Sequence, residues 1–436
     1  MKWTNISTYA TSARKKTFSF SVWFKITELG VQRTIWATSA NGYLLLQADG
    51  QLKWQQSYGG SIKTLNSNRR FRDTSAWYNV IIAVDSTQST EANRVRLYVN
   101  GVEETSLTST TYPSQNAEAE NVYQDHHYLG AYTGNQIYWA GYMSNVAFIS
   151  DAQITPSDVG EFDSDSGIWK PKSYSGGSAP SYFLEFKDSS DLGTATGLDA
   201  DTLTNITAAD QATDTPTNNF CTWNPLWQFY RNSTITEGGT EAAGAAGGWS
   251  HAGASMGVAN GRWYWEWKIT NSDIGFISFS TLEGNLNLNQ LGHDNSVVMG
   301  YGAGHLYTWI NGVQGSNEST GWGTWAVNDI IGIYLDLENS DRRFTLYKNG
   351  SAISGSTSFP VSFPNAMQAV NGAGEIFPYN VQYENDGGEW NFGGYTTMSN
   401  TKSHNDANGY GSFVYSPVLS GVNYYALCTK NLAEEG

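Results

Sequence analysis

The chain has 436 residues, with 40 acidic against 24 basic side chains, 14% aromatic and 15% charged residues. So many rings beside so few charges exclude an intrinsically disordered chain, and the absence of Ala/Glu/Lys/Leu heptads excludes a coiled coil. A formal charge of −16 argues against sequence-independent nucleic-acid binding, which needs Lys and Arg on phosphates, and against docking on anionic lipid.

In chain order, the opening segment sets Arg14, Lys15 and Lys16 where a signal peptide carries its apolar stretch, so no secretory leader is expected. Phe18, Phe20, Val22, Phe24 and Ile26 then alternate with Thr17, Ser19, Ser21, Trp23 and Lys25, which predicts a strand with one strongly apolar face. Apolar runs such as 80–84 are strand-sized, far too short to span a bilayer, so no membrane insertion is expected. Residues 94–99 alternate cleanly into Asn100-Gly101, a hairpin signal because both residues tolerate positive φ. Thr155-Pro156 opens a short helical turn, with Thr155 as N-cap and Pro156 at the first helical position. A buried strand ending in Asp, a polar loop and an alternating strand ending in Asn-Gly occur at 77–101 and again at 328–350. That echo predicts two sandwiches of related architecture.

The boundary falls in an acidic stretch rich in Asp, Thr, Ala and Gly, which reads as an extended connector with one or two short β pieces. The expected domains are 1–190 and 220–436, with a linker over 191–219. A Gly/Ala-rich run at 238–248 reads as a flexible loop inside the second domain. Cys221 and Cys428 are too few for a disulfide scaffold and read as unpaired thiols of a reducing cytoplasm; the alternative is a pair, since they bracket the second half and would meet if its termini are adjacent.

The first half resembles laminin-G-like, concanavalin-A-like jelly-roll domains. The resemblance rests on residues 18–24, on Trp77-Tyr78-Asn79-Val80 with Asp85, and on 95–102, 141–148 and the Thr155-Pro156 turn. The second half resembles a SPRY domain through 261–266, 328–332 with Asp336, 344–350, Ile376-Phe377-Pro378 and Asn391-Phe392-Gly393. The fold so implied is all-β: two concanavalin-A-like jelly-roll β-sandwiches in tandem, joined by an acidic linker. The join, 182–186 with Asp188, Leu192 and Gly193, then 215–222 and Asn224-Pro225-Leu226, is similar to a connector of tailed-phage and marine viral proteins. That resemblance implies a virion structural protein in a fibre, tail or capsid-decorating position. It would be assembled in the host cytoplasm beside other virion proteins, as a homo-oligomer on symmetry grounds and a trimer if a fibre.

Carboxylate pairs that could serve a glycosidase are Asp336 with Glu338, on one strand face, and the Glu161-Phe162-Asp163-Ser164-Asp165 run. The first leads into a turn and the second lies in a Ser/Gly-rich loop, while Glu266 fits the SPRY-like strand pattern. No catalytic residue is therefore expected, and a glycan-degrading enzyme is the alternative reading. No cofactor is expected; calcium is the one candidate ion, at Asp163, Asp165 and Gly167 or at Asp188, Asp191, Asp199 and Asp201. His126-His127 is a candidate for a metal or a glycan, although adjacent imidazoles on a strand point to opposite faces. Trp263, Trp265 and Trp267 share one face and read as core. Trp309, Asn311, Trp322 and Trp325, with Trp54, Tyr58, Tyr132 and Trp139 in the first domain, sit beside Gly, Asn and Thr. A flat ring next to amides and hydroxyls suits a sugar face, so these are the candidate ligand-binding residues, with a host-surface glycan as the candidate ligand.

Overall fold

The first alternating segment forms the strand Thr17–Ile26, and its five apolar residues all enter a core in the computed structural model. The structure describes residues 2–3, 9–123, 126–133, 137–174, 181–197, 206–229, 231–271, 275–280, 296–300, 305–310, 313–314, 318–319, 325–338, 343–353, 375–384, 386–417 and 421–436. The chain divides into two compact units, Met1–Thr217 and Asn218–Gly436.

In the first unit one seven-stranded sheet runs, in spatial order, Thr196–Gly197, Tyr182–Leu184, Gly141–Ser150, Thr17–Ile26, Trp77–Asp85, Val95–Val99 and Val102–Glu103. The other runs Lys2–Trp3, His127–Leu129, Arg33–Ser39, Gly42–Leu46, Gln51–Tyr58, Ser61–Arg70 and Leu107–Thr110. All these strands pair antiparallel, and the two sheets share one core. Phe20 of one sheet stacks on Trp36 of the other, 4.6 Å between centroids and 9° between planes. Of the residues that alternate with the core set on Thr17–Ile26, Ser19, Ser21, Trp23 and Lys25 are buried as well. Ile154 and Val159, on either side of the capped turn Pro156–Asp158, pack with Ile81, Ala83, Ala147 and Ile149 of this outer face. Trp23 packs there with Trp77 and Trp169.

Each unit adds a two-stranded sheet, and the second also has two large antiparallel ones among its described residues. One runs Thr234–Thr236, Glu241–Ala243, Gly387–Asn391, Arg262–Asn271, Ile330–Asp336, Arg343–Lys348 and Ser351–Ala352. The other has Trp223–Phe229, Trp249–Ala254, Phe377–Tyr383, Gly275–Ser280, Ser296–Gly300 and His305–Ile310 in order. Trp263, Trp265 and Trp267 point into the core, as their shared register implies, and Trp267 stacks on Trp390 at 5.5 Å and 17°. Cys221 and Cys428 are buried thiols in different clusters, one in the core and one on the far side of a sheet.

The echo between the halves extends to single hydrogen bonds. Asn100 and Asn349 sit at φ 47° and 49°, followed by Gly101 and Gly350 at 82° each. The Asn100 side-chain oxygen accepts the Asn79 N–H at 2.8 Å, and the Asn349 oxygen accepts the Ile330 N–H at 2.9 Å. Each glycine lies under a ring from later in the chain: a Cβ on Gly101 would stand 2.7 Å from Trp169, and one on Gly350 2.8 Å from Tyr415. Replacing either asparagine with alanine removes that acceptor and forces a Cβ-bearing residue without a polar side chain into the left-handed region. Each change is expected to cost its own unit about 2 kcal/mol. Denaturant titration of N100A and N349A checks this; unchanged midpoints refute it.

The stretch 191–219 carries one of the short β pieces expected of it and is held at both ends. Thr196–Gly197 pairs with Tyr182–Leu184, and 206–217 belongs to the first unit, whereas Asn219 bonds to Thr429 of the second. The 238–248 run is not simply a flexible loop, because Glu241–Ala243 is a strand paired with both Thr234–Thr236 and Gly387–Asn391.

Candidate binding groove in the first unit

The strand Gly141–Ser150 is shaped at its start by two backbone devices. A Cβ on Gly141 would stand 2.2 Å from the Lys25 carbonyl oxygen, so only glycine lets the strand pass so close to its neighbour. Four residues on, its pairing with Thr17–Ile26 shifts register between Ser144 and Ala147, and Asn145 takes φ 46°. Bulges of this kind re-aim side chains beside sites. Tyr142, Met143, Ser144 and Asn145 accordingly line a groove of about 1030 Å³ that lies wholly within the first unit.

Aromatic rings dominate one side. Trp139 is half-buried, edge-on to Phe24 at 5.2 Å and 74°, and its indole N–H has no hydrogen-bond partner. Tyr138 beside it is 48% exposed. Tyr142 lies 6.2 Å from Trp77 and beneath the Lys25 ammonium, which is 5.4 Å from its ring centroid. Tyr128 completes the set. Left-handed backbone recurs here at non-glycine residues, Ile137 at φ 52° and Phe186 at φ 56°, and such strain concentrates at functional sites.

The opposite wall is the segment that the sequence reads as linker. Gln211 Nε2 donates to the Phe186 and Lys187 carbonyls at 2.7 and 3.0 Å. Asp214 accepts from Lys25 Nζ and from Trp77 Nε1, both at 2.8 Å, and the side chains of the ion pair are 0% and 1% exposed. A buried carboxylate needs such partners, and these two fix 206–217 against the sheet.

Of the eight residues proposed from sequence, Trp139 lines this groove. Tyr132 lies on the outer face of its sheet, where its hydroxyl donates to the Ala40 carbonyl at 2.7 Å and its ring meets Tyr43. Trp54 and Tyr58 are corrected: both lie on the inner strand Gln51–Tyr58 and are 1% and 4% exposed, sealed in the core. Trp325 is corrected likewise, 2% exposed and edge-on to Trp267 in the second core. Trp309 is on the strand His305–Ile310, but its side chain, like Asn311 and Trp322, lies outside the described residues.

The candidate catalytic acids and His127 have structural partners, whereas the Nδ1 of His126 has none. Asp336 and Glu338 both face Arg262, at 3.4 and 2.8 Å. Glu266 is fully buried and accepts from the Val414 and Tyr415 N–H groups and from Asn391, at 2.9, 2.7 and 2.9 Å. Burial nevertheless lifts its carboxyl to about 6. Glu161 and Asp163 share Lys170 at 3.4 and 3.1 Å. Asp163 is held well below the usual carboxylate range by the Ser166 N–H, then by Lys170. His127 is buried, with Nε2 donating to the Val122 carbonyl at 2.7 Å and the Tyr182 hydroxyl at 3.2 Å from Nδ1; burial pushes it down to about 4. Among the described residues, no group of three or more His, Cys, Asp or Glu is placed to hold a metal ion. Nor is any helix among them long and apolar enough to cross a membrane.

Residues 3–160 match the Laminin_G_3 family model, described as the concanavalin A-like lectin/glucanases superfamily. The first unit is thus a concanavalin-A-like domain within an all-β chain. Among solved structures, the SPRY domain of human HERC1 is similar at 20% identity, covering 41% of this chain and 99% of that one, with a TM-score of 0.27. A candidate carbohydrate-binding protein from Bacteroides ovatus matches at 16% identity over 39% and 49% of the two chains, TM-score 0.27. A heptameric SAP-like pentraxin from Limulus polyphemus matches at 15% over 32% and 66%, TM-score 0.23. No curated protein matches the chain.

Proposed function

We propose that this chain is a non-catalytic carbohydrate-binding protein that holds its ligand in the groove of the first unit. The observation that carries this reading is the lining: Trp139, Tyr138 and Tyr142 next to the side chains of Ser144, Asn145 and Gln211. Sugars offer apolar ring faces edged with hydroxyls, and such a surface matches both. The non-catalytic part is supported by the carboxylates named above, each engaged by arginine, lysine or backbone N–H groups. Asp163, one of the calcium candidates, is taken up by its own turn and by Lys170, and Asp199 and Asp201 lie outside the described residues; binding is expected to survive a chelator.

The proposal sets this activity on the outside of a tailed-phage particle, among other virion proteins and in symmetric copies, three if the particle part is a fibre. Support comes from the likeness of the 182–193 and 215–226 segments to viral connectors and from the acidic charge, which keeps an exposed component off genome and membrane. Mass spectrometry of purified particles tests it; recovery only from lysate, never from particles, would leave a soluble lectin. For the groove, a glycan array with the intact chain should give hits that Trp139→Ala weakens about tenfold to a hundredfold, as loss of a central aromatic contact does. Hits unaffected by that change would move the site elsewhere.

A further inference from the structure

The charges around the groove narrow its ligand. Four charged residues line it among the described residues: Glu185, Lys187, Asp210 and Asp214. Lys187 Nζ donates to Glu185 at 2.7 Å, and Asp214 is matched by buried Lys25 at 2.8 Å. Asp210 caps its own turn, accepting from the Thr207 N–H and hydroxyl at 2.6 and 3.1 Å. Among the described residues every cation at the groove therefore already faces a carboxylate, and the sum over these groups, Lys25 included, is one negative charge. An acidic sugar entering here would meet no uncommitted cation and one anion, in a protein of net charge −16.

The remaining polar groups suit hydroxyls. Ser144, Asn145 and Gln211 line the groove, polar side chains of the kind that bond sugar hydroxyls. At about 1030 Å³ the groove is at the top of the ~300–1,000 Å³ range of small-ligand sites, more room than one sugar ring fills.

We infer that the groove is built for an uncharged oligosaccharide several rings long, and that it selects against uronic, sialylated or sulfated chains. The inference rests on the carbohydrate reading above. Its test uses the full chain, by titration calorimetry at low and high salt. The probes are neutral dextran- and mannan-derived oligosaccharides, from mono- to hexasaccharide, beside fragments of hyaluronan and heparin. Neutral chains are expected to bind more tightly with length and independently of salt, more than tenfold weaker with Trp139→Ala and within a fewfold of wild type with Trp139→Phe. Glu185→Gln, which removes the carboxylate facing Lys187, is expected to raise acidic-chain binding several-fold, a gain that misfolding cannot mimic.

Acidic chains binding as well as neutral ones or better, with Trp139 dependence, overturn this inference and leave the carbohydrate groove standing. A neutral affinity that stops rising at the monosaccharide overturns it too. Binding by neither series, or binding indifferent to Trp139, overturns both.

Discussion

Asp214→Ala is expected to destabilise the first unit by about 3–5 kcal/mol, because it strands a fully buried ammonium. Lys25 is 0% exposed and bonds to this carboxylate at 2.8 Å, and the Trp77 indole N–H shares the same acceptor. Removing both charges at once is different: Lys25→Met with Asp214→Leu fills similar volume without an ion to desolvate. That double variant is expected to recover to within about 1–2 kcal/mol of wild type, short of it mainly through the orphaned Trp77 donor. Calorimetry of both variants reads the unfolding transitions. The single variant should also admit protease within 206–217, the wall that wild type protects. An unchanged first-unit transition in Asp214→Ala would contradict the picture of a charge clasp.

Acidification is expected to move the stabilities of the two units in opposite directions. His127 of the first unit is neutral when folded, with its value lowered from 6.5 to about 4 by burial. The unfolded chain takes up that proton below pH 6.5, so the contribution is present above 6.5 and is lost as pH falls to about 4. Glu266 of the second unit is raised from 4.5 to about 6 by burial. Here the folded form keeps a proton that the unfolded form releases, so its contribution is full below pH 4.5 and is lost as pH rises through about 6. At 1.36 kcal/mol per pH unit, the first term is worth about 3 kcal/mol and the second about 2. Scanning calorimetry between pH 7 and 4.5 should show the first-unit transition falling and the second holding or rising. His127→Gln and Glu266→Gln isolate each term by flattening the corresponding slope. Parallel slopes that neither variant alters would reject the assignment.

How much of this was legible in the sequence depends on how far apart the determinants lie. The Asn-Gly turns, the capped Thr155-Pro156 turn and the tryptophan face of Arg262–Asn271 are local, and periodicity plus turn chemistry reads them directly. Trp54 and Tyr58 misled because Gly and Thr nearby suggest loops. They sit instead on a strand flanked on both sides, with Trp54 in register with Leu44 and Leu65. The clasp joins residues 189 positions apart, and no local pattern announces that a linker aspartate answers a strand lysine. A hint was present: Lys25 shares a face with Trp23 in a strand otherwise free of charge. Trp139 was found through its small polar neighbours, whereas Tyr142 is aimed by a bulge that alternation cannot show.

The two ends of the second unit lie side by side. Phe220 bridges to Cys428, the Cys221 N–H bonds to the Leu427 carbonyl and the Thr429 N–H to the Asn219 carbonyl, each bond 2.9 Å. Tension applied between residue 218 and residue 430, whose N–H bonds to the Asn218 side chain, would thus enter and leave the unit at nearly one point. The first contacts under load are these few bridging bonds, opened one after another like a zip, while the Trp263–Trp390 core bears nothing until they are gone. The unit is in effect a bead on a loop: a chain carrying it can be stretched taut without the bead being pulled apart lengthwise, and can be cut and rejoined there with little added length.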